Sequence, residues 1–136
     1  MICESTSLKK YLDKSSNIFF LFGSEIILKN DSVNQINSFL KEKDFTEKKI
    51  ISENDYNNIN KIILENSSGT LFGSKTIIEI NHYKGKIPNN ILGIFEIKDI
   101  DKKANIAIII KSSIEKINKA TSWVKKINNS SLMIEC

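Results

Sequence analysis

The stretch Ile18-Phe19-Phe20-Leu21-Phe22-Gly23-Ser24 decides the fold. Five consecutive apolar residues ended by a Gly-Ser pair are too few for a helix, and they show no polar alternation. The run reads as a strand buried on both faces, which is the habit of a parallel sheet covered by helices. Just beyond it, Ile26, Val33, Ile36 and Leu40 recur at helical spacing and predict a helix over about 25–42.

The same switch repeats along the chain. Residues 45–52 read as a second, weaker strand, and Asp55 is placed to cap a helix carrying Tyr56, Ile59, Ile62 and Ile63. After the break at 66–69, Thr76-Ile77-Ile78-Glu79-Ile80 is a third strand. Pro88 suits the first turn of a helix bearing Ile91, Ile94 and Phe95, although Gly93 interrupts it. Residues 105–110 form the most apolar strand, expected to be central and buried. Ser112 and Glu115 have capping-box spacing and predict a helix with Ile114, Ile117, Val124 and Ile127 inward. Leu132-Met133-Ile134 would be the fifth strand. Strands alternating with helices imply an α/β fold of three layers around a parallel five-stranded sheet, the layout of a nucleotide-binding domain.

A chain of 136 residues suits one domain spanning 1–136, and its ending just after the last strand suggests a domain boundary in a longer protein. The twenty cationic side chains are all lysine, and the net charge is only +4. Lys48-Lys49, Lys102-Lys103 and Lys125-Lys126 are dispersed, which reads as solvated surface with at most weak attraction to DNA. Cys3 and Cys136 stand at opposite ends without metal-type spacing, as in a reducing cytoplasm. No apolar run reaches membrane-spanning length, so a cytoplasmic protein without a membrane partner is expected.

Ligands of parallel α/β folds bind at the carboxyl ends of the strands. A phosphate-cradling loop needs glycines for close backbone approach, a Lys for the outer phosphates and a Ser or Thr for the metal. Gly23-Ser24-Glu25-Ile26-Ile27-Leu28-Lys29-Asn30 offers one glycine, a carboxylate where an anion would sit, and no Gly-Lys-Ser/Thr. The phosphate loop is degenerate. The third strand ends in Glu79-Ile80-Asn81 rather than paired acids, Glu79 being the polar member of the strand, and no arginine exists to act as a finger. His82, the single histidine, falls in a turn-like segment and reads as a surface loop residue with no Cys or second His to join it. Ser67-Ser68 and Ser112-Ser113 read as turns and caps. No catalytic, cofactor-binding or metal-binding residue is expected.

The segment Asn66-Ser67-Ser68-Gly69-Thr70-Leu71-Phe72-Gly73-Ser74-Lys75 sets two large apolar residues among small polar ones. Leu71 and Phe72 either tuck into the core as the chain turns or form an exposed anchor for a partner's apolar pocket. Adjacent residues on a short turn do not easily both point inward.

The sequence 19–23 followed by the glycine-poor loop, and then Thr70-Leu71-Phe72-Gly73-Ser74-Lys75-Thr76-Ile77-Ile78-Glu79-Ile80, resembles the delta subunit of the bacterial DNA polymerase III clamp loader. The apolar strand 106–110, a following helix with Trp123, and the closing strand 132–134 fit as well. The resemblance covers the first of that family's three domains and departs at Gly69, where relatives often carry a larger apolar residue. It implies a clamp-loader ATPase-like fold without nucleotide binding. It also implies a non-catalytic role in DNA replication, as part of a DNA-directed DNA polymerase holoenzyme. The partner it implies is the sliding clamp, the beta subunit, bound through Thr70, Leu71, Phe72 and Gly73 and opened for loading onto DNA. Other loader subunits would be met through domains outside this chain, and DNA indirectly or weakly. Without the resemblance, a lysine-rich nucleic-acid-binding or regulatory α/β domain is the alternative.

Overall fold

Residues Ile18–Phe22 form strand β2, and all five of its side chains are buried. Strand β1 covers Ile2–Glu4, β3 Phe45–Ile51, β4 Lys75–His82, β5 Ile106–Ser112 and β6 Leu132–Glu135. The computed structural model describes residues 1–14, 17–67 and 74–136. These strands make one sheet in the order β1-β6-β2-β5-β4-β3, with every neighbouring pair parallel. Strands β2 and β5 are its centre, in register from Ile18 against Ile108 to Leu21 against Lys111.

Helices cover both faces, and the period of two in a strand divides the side chains between them. Ile18, Phe20, Phe22, Ile78, Ile80, Ile106, Ile108, Ile110 and Met133 join one apolar cluster. It is closed by α3 (Ile59–Ser67), α4 (Asn89–Leu92) and α5 (Ser122–Ser130). Phe19, Leu21, Ile77, Ala107, Ile109, Leu132 and Ile134 face the other way. There they meet α1 (Leu8–Tyr11) and Val33, Ile36 and Leu40 of α2 (Ile26–Glu42). The expected three layers are present.

Three expectations need correcting. The sheet has six described strands rather than five, because residues 2–4 pair with β6. A three-residue edge strand carries no periodic signal and is made by its neighbour. The capping box at Ser112 does not open a helix: β5 continues through Ser112, and residues 113–118 have no regular structure. The Ser112 hydroxyl accepts the Ile114 N–H at 3.1 Å and bonds His82 Nδ1 at 2.9 Å, so it is unavailable as a cap. Helix α5 begins ten residues later, after a turn in which the Thr121 N–H reaches the Asn118 carbonyl at 3.0 Å. Asp55 lies inside a short 3-10 segment, Glu53–Asn58, that precedes α3, so it caps nothing.

Strand β3 reads weakly because it is an edge strand with residues 46–50 exposed and only Ile51 buried. Its position sets a contrast in stability. Ile108, fully buried in β5, should cost about 2–5 kcal/mol when cut to alanine. Ile50, 59% exposed on β3, should change stability by no more than about 0.5 kcal/mol. Urea unfolding of Ile108→Ala and Ile50→Ala checks both, and equal effects would contradict this sheet order.

Candidate functional site

Parallel strands bring Glu4, Phe22, His82, Ser112 and Glu135 to one edge of the sheet, the carboxyl edge where such folds place ligands. The loop after β2 turns there at Gly23, whose φ of 122° is one that side-chain-bearing residues rarely adopt. A Cβ on Gly23 would lie 2.0 Å from the Cys136 carbonyl oxygen, so only glycine lets the two backbones approach.

That approach consumes two of the backbone amides a phosphate would need. The Gly23 N–H donates to the Ile114 carbonyl at 2.8 Å, and the Glu25 N–H donates to the Cys136 carbonyl at 3.3 Å. Cys136 is held in turn by its own N–H on the Phe22 carbonyl at 2.8 Å. The segment 113–117 therefore crosses the end of the sheet, held to Gly23 at Ile114 and to His82 at Ser113. Beside the loop is a cleft of about 620 Å³ lined by Glu4, Glu115 and Glu135, with Lys116 as the one cation. Three carboxylates oppose a polyanion.

His82 is not a surface loop residue. Strand β4 runs two residues past Ile80 and carries His82 into the interior, 4% exposed. Its Nε2 donates to the Lys86 carbonyl at 3.2 Å, which leaves Nδ1 to accept the Ser112 hydroxyl proton. With Ser112 also receiving the Ile114 N–H, a chain of bonds pins the 113–117 crossing to β4. The imidazole is structural. Glu79 is the polar member of β4 as expected, but it is mostly buried and forms an ion pair with Lys48 of β3 at 3.2 Å.

The two cysteines stand on neighbouring strand ends and both are free. Burial pushes the Cys3 and Cys136 thiols above the usual cysteine range, which suppresses the nucleophilic thiolate. Among the described residues, no three His, Cys, Asp or Glu side chains gather as a metal would require, and no helix is long and apolar enough to cross a membrane.

Thr70, Leu71, Phe72 and Gly73 lie outside the described residues. Their flanks are placed: α3 ends at Ser67 and β4 begins at Lys75, at the opposite edge of the sheet from Gly23. Leu64, on the last turns of α3, is an apolar side chain left 50% exposed. One residue escaped the sequence reading. Lys29 follows Gly23 by six positions, the spacing of the lysine in a phosphate loop, with Leu28 and Asn30 in place of its Gly and Ser/Thr. Counting the spacing would have found it; the missing glycines hid it.

The architecture and the internally bonded loop define a clamp-loader ATPase-like domain, a class that solved structures share. The Bacillus subtilis DNA clamp loader delta protein matches with a TM-score of 0.67 at 14% identity, over 97% of this chain and 42% of that one. A DNA polymerase III gamma subunit-related protein of Thermotoga maritima matches with a TM-score of 0.51 at 11% identity, over 98% and 46%. PCH-2 of C. elegans gives 0.52 at 11% identity, over 96% and 39%. At these identities the likeness is one of fold, and the chain spans less than half the length of each of the three. No curated protein sequence matches. The family described as DNA polymerase III, delta subunit, matches residues 19–136, and the chain belongs to that family.

With the Gly23 and Glu25 amides bonded internally beside an acidic cleft, and no glycine at Leu28 or Ser/Thr at Asn30, a fluorescent ATP analogue with magnesium should show no saturable binding at micromolar concentration. Binding that ATP competes away would show that the 113–117 crossing opens.

Proposed function

We propose that this domain is the clamp-engaging end of a clamp-loader delta subunit, binding the ring-shaped sliding clamp and helping to open one of its interfaces during replication. The family match over 19–136 carries the reading, because Thr70-Leu71-Phe72-Gly73 falls within it. In this reading Leu71 and Phe72 enter an apolar pocket of the clamp, with Thr70 and Gly73 beside them in the contact. The domain acts by binding and not by catalysis, in the cytoplasm. Residues 1–136 form the N-terminal domain of a longer subunit whose other domains meet the rest of the loader, with DNA contacted indirectly or weakly.

Anchor residues commonly cost about 2 kcal/mol or more when truncated, and about 1.4 kcal/mol is tenfold in affinity. Changing both Leu71→Ala and Phe72→Ala should therefore weaken clamp binding at least about a hundredfold. The melting temperature should hardly move, whereas a core pair would cost several kcal/mol. Calorimetry of the double variant, alone and titrated with the clamp, checks this. A folded variant with undiminished clamp affinity would remove the pair from the interface.

A further inference from the structure

Strand β4, which follows the segment 70–73 in the chain, is fastened at its first residue. Lys75 opens the strand, half-buried, and its ammonium donates to the Lys43 carbonyl at 3.0 Å. Lys43 is the residue that ends α2, and Asp44 beyond it takes a left-handed φ of 72°. The last carbonyls of a helix have no partner within it, and they carry the negative end of its dipole. A cation 32 positions further along the chain therefore closes the end of this 17-residue helix.

The same ammonium lies 5.4 Å from the centroid of the Phe45 ring, close enough for the ring face to attract it. A bulge sets up this meeting. Strands β3 and β4 pair Glu47 with Thr76, and one step back an unbroken register would set Thr46 beside Lys75. The register slips there and sets Phe45 beside Lys75 instead, as bulges do where a side chain is re-aimed. Phe45 and Phe39 both pack on the apolar cluster beneath α2, and the Lys43 ammonium lies 5.6 Å from the Phe39 centroid. Two lysine–ring pairs thus join the end of α2 to the starts of β3 and β4.

We propose that Lys75 is a positioning residue for clamp binding. Held by the Lys43 carbonyl and the Phe45 ring, it fixes the point at which Thr70-Leu71-Phe72-Gly73 joins the sheet, and it raises affinity without touching the clamp. The inference rests on the reading of that segment as the clamp contact. Phe72 is three residues from Lys75, so their Cα atoms are within about 11 Å, and a shift at the start of β4 passes directly to the anchor. Fixing that start before the partner arrives lowers the ordering cost of association.

Calorimetric titration with the clamp, together with amide hydrogen exchange of the free chain, tests the proposal. Lys75→Met should weaken clamp binding about three- to tenfold and Phe45→Leu about threefold, and the double variant should lose no more than Lys75→Met alone. Lys75→Arg, which still donates to a carbonyl and stacks on a ring, should bind as the wild type does. The Lys43 and Asp44 amides, bonded to the Leu40 and Lys41 carbonyls at 3.0 and 3.1 Å, report on the end of α2. They should exchange at least about threefold faster in Lys75→Met and at the wild-type rate in Lys75→Arg. Lys48→Met, which breaks the ion pair to Glu79 across the same two strands, should leave clamp affinity unchanged. An equal loss in Lys48→Met would mark a general weakening of the strand pair and overturn the proposal. A loss in Lys75→Met with none in Phe45→Leu would make Lys75 a direct clamp contact, which overturns it as well. Unaltered exchange in Lys75→Met overturns it whether or not the clamp binds, and so does faster exchange with undiminished affinity. A wild-type chain that does not bind the clamp overturns the reading of residues 70–73 and this inference with it. Should Lys75→Met fail to fold, Phe45→Leu carries both measurements.

Discussion

The pairing of β2 with β5 is the constraint on which everything else depends. Ile18 to Leu21 lie against Ile108 to Lys111, and all of these side chains but that of Lys111 are sealed into clusters on both faces. A strand buried on both faces cannot leave its backbone polar groups to water, so it must have a neighbour on each side. Strand β6 supplies the second neighbour of β2, and β4 that of β5. Helices then follow as the only way to cover both faces. Each fully buried Phe or Ile contributes about 1.5–3 kcal/mol relative to exposure, so the centre tolerates little change while the β3 edge, exposed over 46–50, tolerates much.

The same rigidity determines the state of the carboxyl edge. In a nucleotide-binding domain the amides after the first core strand face a phosphate. Here the 113–117 crossing and the end of β6 supply carbonyls to those amides, and Gly23 permits the contact by having no Cβ. The His82–Ser112 bond fixes the start of the crossing to β4. Backbone amides satisfied by protein carbonyls have little to gain from an anion. The lysine that would have accompanied the phosphates remains, at Lys29, facing a different cavity.

Much of the fold was legible. Ile18–Phe22, the helix over α2, β4, β5 and β6 were each visible as a run or a period, because burial on one or both faces leaves its mark on which residues are apolar. The failures share a cause. Residues 2–4 become a strand because β6 is beside them. Ser112 has the spacing of a cap, yet its hydroxyl is claimed by His82, 30 residues earlier in the chain. His82 sits in a segment that reads as a turn and is nonetheless carried inside by the continuation of β4.

By itself the sequence determined the α/β class, the parallel central strands, the degeneracy of the phosphate loop and the likeness to the delta subunit. These are properties of composition and local order along the chain. Only the tertiary structure decided the sixth strand, the burial of His82, the carbonyls that satisfy the loop after Gly23, and the meeting of Lys75 with Phe45 and the Lys43 carbonyl. Each of these depends on contacts between residues tens of positions apart, which local pattern cannot encode because partner and distance are supplied by the folded sheet.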